Sequence, residues 1–281
     1  MKSLVHALHR RRGSGVPLPD RFPSLAANGI RFRRGQVHMI AGQPGSGKSL
    51  LSLDYAVHAG VSCLYFSADS DEDTVLNRVG AMRMGMSVSS IEEMRETPAV
   101  GLLEEELSNL SNVRFVYDAQ PTLDTITDEV DAWEEVYGQM PDMIVVDNLS
   151  DLACETTDNE WQGLRHLMGA MHEIARDTGA AMLILHHTSE GEGKPTDCQP
   201  RKALMGKVAQ LPEVILTIAL DPAENVFKVA GVKNRTGKAD ALARNPIELG
   251  VDLPKMHLFE RQLVTSEVPN SAVAQYWSEI Q

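Results

Sequence analysis

Cysteine is scarce in this chain. Its 281 residues include three, Cys63, Cys154 and Cys198, far apart and without a CxxC pair. An odd, scattered set excludes a disulfide framework and a thiolate metal site, so buried thiols in a reducing compartment are expected. Long apolar runs are missing as well, and none approaches the ~18 residues of a membrane span. The apolar patch Leu4–Leu8 meets Arg10, Arg11 and Arg12 almost at once, which is too short for a secretory signal. A cytoplasmic protein with no membrane partner is therefore expected. Basic charge is in deficit, with 26 Lys and Arg against 39 Asp and Glu for a net charge of -13.

That deficit is uneven. The first 34 residues carry eight basic side chains against Asp20 alone, while residues 92–135 carry thirteen acids against Arg95 and Arg114. A total over such unlike regions does not exclude a basic channel for nucleic acid.

What is present is an ordinary globular composition, 43% hydrophobic and 23% charged. A chain this long buries roughly three-quarters of its unfolded surface and needs no staple. Apolar strands are expected at Val37–Ala41, Val61–Ser67, Val113–Tyr117, Met143–Val146 and Ala180–Leu185. Helices are expected at Ser49–Ala59, Asp71–Met84, Leu123–Tyr137 and Trp161–Arg176, the third with Ile126, Val130, Trp133 and Val136 on its apolar face. Near-continuous apolar strands separated by helices predict an α/β fold, with a mostly parallel twisted sheet covered on both faces. After Glu213 the strands Val214–Leu220, Val226–Val232 and Ile247–Val251 follow one another closely and predict an antiparallel edge. No linker or repeat divides the chain. One domain over residues 16–260 is expected, with a basic arm or linker helix at 1–15 and a tail at 261–281.

The segment Gly42-Gln43-Pro44-Gly45-Ser46-Gly47-Lys48-Ser49, followed by Leu50, fits GxxxxGK[ST] between a strand and a helix. Glycines let backbone N–H groups turn toward a phosphate, and the helix N-terminus favours the same anion. Lys48 is expected to reach the β- and γ-phosphates of ATP, and the Ser49 hydroxyl to ligate Mg2+. Asp147, after four apolar residues, is the expected partner for the metal or for Ser49. Asn148 follows it, so a catalytic carboxylate has to come from elsewhere. Asp69, beyond Leu64–Ala68, is that candidate for positioning the attacking water, because ligands of open α/β sheets bind beyond the carboxyl ends of strands. Asp71 and Glu72 read better as first-turn helix residues. His186 and His187 close another apolar strand, where a histidine could sense the γ-phosphate.

In this order the pieces resemble the RecA-like ATPase domain of DnaB-family hexameric replicative helicases, over roughly residues 16–260. The carriers are VPLPDRFPSLAANGIRFRRG (16–35), LYFSADSDEDTVLNR (64–78), the run from Val113 to Leu149, and Lys233-Asn234-Arg235-Thr236-Gly237, which is similar to the family's KxRxG. Asp69 stands where the family has a glutamate. His187 stands where it usually has a glutamine, so plasmid-type rings are the closer comparison there. The resemblance implies an ATP- and Mg2+-dependent helicase of phage or plasmid type, with single-stranded DNA, further copies in a hexamer and a primase or helicase loader as partners. It implies that Lys233 and Arg235 act in the neighbouring subunit's site. It also implies DNA contacts from two loops, Ser150–Glu160, which is acidic, and Thr188–Lys207, with Lys194, Arg201, Lys202 and Lys207. The lack of clustered aromatics speaks against base stacking as the main contact. Two other readings remain: a RecA-like recombinase filament, and a nucleotide-switched regulator resembling circadian-clock ATPases.

Overall fold

A computed structural model describes residues 15–154, 159–189 and 194–261, with Glu160, Gly206 and Lys207 described by backbone alone. In chain order its main elements are α1 (Pro23–Ala27), β1 (Val37–Gly42), α2 (Lys48–His58), β2 (Cys63–Ser67), α3 (Glu72–Met84), α4 (Val88–Arg95), α5 (Val100–Ser108) and β3 (Val113–Val116). There follow α6 (Leu123–Tyr137), β4 (Met143–Asp147), α7 (Glu160–Thr178), β5 (Ala181–His187), β6 (Val214–Asp221), β7 (Val226–Asn234), β8 (Ile247–Asp252) and β9 (His257–Glu260). The sheet order is β3-β2-β4-β5-β1-β6-β7-β8-β9. The first six of these run parallel, and β7, β8 and β9 complete the edge as antiparallel neighbours.

Strand alternation builds two cores. Ile40, Tyr65 and Leu183 meet Leu51 of α2 on one face, while Met39, Phe66 and Ile184 meet Trp133 of α6 and Met168 of α7 on the other. The helices begin and end where local chemistry directs them. Asp71 caps α3 by accepting from the Thr74 N–H, Thr122 and Thr125 form a capping box on α6, and Asn159 caps α7.

The acidic stretch after Met84 adds two helices that the sequence pattern did not reveal. Their Ile91 and Leu103 close a small third core with Ala81. Gly80 permits that approach, since a Cβ there would stand 3.0 Å from Ile91. β9 also went unforeseen. Val136 is a correction, because it is 72% exposed. Ten residues after Ile126, it has rotated about 80° off the stripe, and Tyr137 instead meets Trp133, with ring centroids 4.5 Å apart. Cys63 and Cys198 are buried and Cys154 is only partly so, and none of the three forms a disulfide among the described residues. No described helix is long and apolar enough to cross a membrane.

The arginines of residues 15–34 do not form a free basic arm. Arg21 clasps the fully buried Asp54 at 2.6 Å, Arg31 binds Asp20 at 3.0 Å and Arg34 binds Asp142. Arg33 donates to the Gly15 carbonyl. Of these, Arg21–Asp54 has the greatest structural weight, since breaking a buried pair leaves an uncompensated charge. Arg21→Met is expected to lower unfolding stability by about 3 kcal/mol, read by urea titration. A loss under about 1 kcal/mol, typical of exposed pairs, would count against that role.

Candidate active site

The carboxyl ends of β1, β2, β4 and β5 converge on one edge of the sheet. β1 ends at Gly42, and the chain turns through Gly45 and Gly47 with φ of 74° and 88° before α2 begins at Lys48. Gly47 is constrained twice, because a Cβ there would also stand 2.7 Å from the Phe227 ring of β7. A Cβ on Gly42 would collide with the Ser46 hydroxyl at 2.3 Å. Loop and helix start thus form a cradle of backbone N–H groups, the first of which have no acceptor within the helix. The Ser46 Oγ is buried without a hydrogen-bond partner. Such a cradle fits a phosphate chain.

Lys48 is buried in this cradle. Its Nζ donates to the carbonyls of Gly42 and Gln43, each at 3.2 Å, and approaches His187 Nδ1 at 3.4 Å. Burial lowers its pKa, while Asp147, Asp69 and Asp151 oppose that shift. His187 thus turns a ring nitrogen toward an ammonium. Its pKa is lowered first by burial and then by Lys48. Its other ring nitrogen lies 3.3 Å from the Asn148 amide.

Asp147 is buried at the end of β4. The Tyr65 hydroxyl donates to it at 2.9 Å, the Ser49 hydroxyl bonds it, and Ser52 meets Tyr65 at 2.8 Å. Burial raises the Asp147 pKa more than these donors lower it. Tyr65 and Ser52, which nothing in the sequence pattern marked, fix the carboxylate's orientation. Asp69 lies two residues beyond the end of β2, exposed, with its N–H 3.3 Å from the Asp147 carbonyl. Asp71 is occupied as a helix cap, and its pKa is lowered by the Thr74 N–H.

Asp151, also unmarked by the sequence, adds a third carboxylate near Lys48. One of its oxygens is buried without a partner, and its pKa is raised by burial and by Asp69. Three carboxylates about one lysine leave a surplus of negative charge with hard oxygen donors. That surplus fits Mg2+, which binds through one or two carboxylates together with substrate phosphates. Ser49 and Asp147 would hold it, and the cation would neutralise charge on the phosphoryl oxygens.

The two histidines separate. His187 faces the loop, whereas His186 points to the other side of the sheet, where Nε2 meets the Met205 carbonyl at 3.2 Å. Burial lowers the His186 pKa to about 4.

Lys233 and Arg235 are not brought to this edge. Val214 pairs with both His38 and Asn234, so the KxRxG turn is level with the start of β1. Gly42 lies four residues farther along, or ~13 Å. Lys233 donates to the carbonyls of Ala209 and Gln210 at 2.8 Å, and its pKa falls to about 8, chiefly from burial. Arg235 binds Glu213 and the Gln210 carbonyl, each at 2.9 Å. Lys194, Arg201 and Lys202 are exposed on the segment after β5. The Lys207 side chain lies outside the described residues, as do residues 155–158 of the acidic loop.

A phosphate loop at the carboxyl edge of this sheet defines an ATPase with the RecA-like P-loop fold. The family described as AAA domain (AAA_25) matches residues 20–193. The chain belongs to that family. It is 34% identical over 242 residues to the Gene 65 protein of Mycobacterium phage L5, covering 83% of this chain and 89% of that one. It is 27% identical over 255 residues to the DNA repair protein RadA of Mycolicibacterium smegmatis, covering 85% of this chain and 45% of that one. Among solved structures, one described as an ATPase domain superposes with a TM-score of 0.76 at 14% identity, covering 92% of this chain and 96% of that chain. A DnaB-like replicative helicase, described with its interactions with primase, gives a TM-score of 0.76 at 15% identity, covering 92% of this chain and 65% of that chain. The fold is thus that of DnaB-like helicase ATPase domains.

Proposed function

We propose that this protein is an ATP-driven, ring-forming DNA helicase that couples hydrolysis to movement along single-stranded DNA. One observation carries the reading: Lys233 and Arg235 lie at the opposite end of the sheet from their own phosphate loop. A guanidinium so placed stabilises transferring phosphate only in another subunit's site. Within a site, Lys48 and the loop N–H groups bind the phosphates of ATP, Ser49 and Asp147 hold Mg2+, Asp69 orients water and His187 senses the γ-phosphate through Lys48. Lys194, Arg201, Lys202 and Lys207 contact the DNA backbone. A hexamer with a primase or loader partner belongs to the same reading; one structure of this fold is described with its interactions with primase. The RadA similarity keeps a DNA-coating filament as the second reading. Strand separation on a forked duplex, read with native mass with and without ATP, tests the helicase. Binding and coating without separation would favour the filament.

Lys48→Ala is expected to lower turnover ~10²–10³-fold, the loss seen when one preorganised charge-stabilising donor is removed, with an unchanged far-ultraviolet spectrum. Steady-state hydrolysis reads it, and undiminished turnover would remove the loop from catalysis.

A further inference from the structure

The acidic loop Ser150–Glu160 contains no Lys or Arg, yet the helix that follows it supplies one. Arg165 stands in the second turn of α7, exposed. Its side chain forms no ion pair or hydrogen bond among the described residues. Arg21, Arg31, Arg34, Arg83, Arg95 and Arg235, by contrast, each engage a carboxylate. One turn before Arg165 is Trp161, 46% exposed, whereas Trp133 is 5% exposed. Residues four apart share a helix face, so an indole and a guanidinium stand side by side.

Beside them is a pocket of about 500 Å3 between α7 and the 3-10 turn Met205–Gln210. One wall carries Arg165 and His166, the other Gln210 and Leu211, over a floor of the buried Met168 and Val208. The volume lies within the ~300–1,000 Å3 usual for small-molecule sites. Its two sides are the elements that close the acidic loop and the Thr188–Lys207 loop, so it lies at the base of both. Arg201 and Lys202 are exposed just before the turn. The nucleotide cradle lies elsewhere, at Gly42–Ser49.

We propose that this pocket takes one nucleotide of the single-stranded DNA that the helicase reading requires. The base lies over Leu211, the His166 ring meets its edge, and Arg165 takes the adjoining phosphate. A planar guanidinium binds phosphate through two parallel hydrogen bonds. The next base stacks on Trp161, a sequence-tolerant contact because every base has a π-face. The contact near the acidic loop is then made by the helix rather than by the loop.

The test uses the full chain with ATP analogue and Mg2+, a labelled oligo(dT), and anisotropy at several salt concentrations. Arg165→Ala is expected to weaken binding about ten-fold and to reduce the log–log salt slope by ~0.7, one phosphate contact on a single strand. Trp161→Ala is expected to weaken it about ten-fold with the slope kept. Both variants should retain wild-type native mass and DNA-free turnover. Unchanged affinity and slope in both, with wild-type binding intact, would overturn the pocket and leave the helicase reading standing. Failure of the wild-type chain to bind oligo(dT) would remove that reading and the pocket with it. A changed native mass with unchanged DNA affinity would assign the pocket to a subunit contact and overturn the proposal.

Discussion

Replacing Arg235 with alanine is expected to cut ATP turnover by ~10³–10⁵-fold, the range for a guanidinium delivered to a transferring phosphoryl group. The same change should barely touch stability. Arg235 is 52% exposed, and its pair with Glu213 is a surface ion pair of the sort that contributes ~0–1 kcal/mol. Large kinetic loss with little structural loss separates an acting group from a supporting one. The decisive measurement mixes the Arg235→Ala chain with the Lys48→Ala chain, each inactive alone. An interface drawing its loop from the first and its guanidinium from the second is complete, so partial turnover should return. No recovery at any ratio would remove the action between subunits.

Asp147→Asn is expected to act in two opposite directions. Without Mg2+ and nucleotide the variant should melt higher than the parent at neutral pH. The folded pKa of Asp147 is raised by burial, so ionisation is harder in the fold than in the unfolded chain. The stabilisation from a raised pKa is complete below the unfolded value and is lost as pH rises through the folded one. Asparagine does not ionise, so its advantage should grow with pH across that window and vanish in acid. Hydrolysis should fall ~10³-fold or more, because the bound cation supplies several kcal/mol of charge stabilisation. Melting curves across pH and turnover at saturating Mg2+ read the two effects. A variant that melts lower at pH 7 would contradict the account of Asp147 as a strained, functional carboxylate.

The sequence made the phosphate loop legible because spacing alone specifies it, and the parallel core legible because strands buried on both faces read as unbroken apolar runs. α6, Leu123–Tyr137, was legible through the helical spacing of Ile126, Val130 and Trp133, all of which are buried. The helices at 88–95 and 100–108 were not. Each buries a single residue, Ile91 or Leu103, so no apolar stripe marks them. Tyr65, Ser52 and Phe227 were missed for a different reason. A tyrosine in a buried strand reads as core, and only the pairing of β2 with β4, which sets Ser67 against Asp147, puts its hydroxyl on that carboxylate. Phe227 is 180 residues beyond Gly47, and no local pattern carries that contact. Likewise, Arg21 and Arg34 read as unpaired basic charge because their partners Asp54 and Asp142 lie far along the chain, while the basic arm expected at 1–15 lies, but for Gly15, outside the described residues.

β7 touches both ends of the problem. Its Phe227 ring lies against Gly47 of the phosphate loop, and Lys233 and Arg235 lie at its far end, about six residues or ~20 Å away. This strand pairs with β6 along its whole length and with β8 over Val226–Val229, which stiffens it against compression and bending. A shift of the loop on gaining or losing phosphate would then have a direct covalent route to the far end. In a closed assembly this strand would act as a pushrod between consecutive sites, giving the firing order around the circle a direction set by the handedness of one chain.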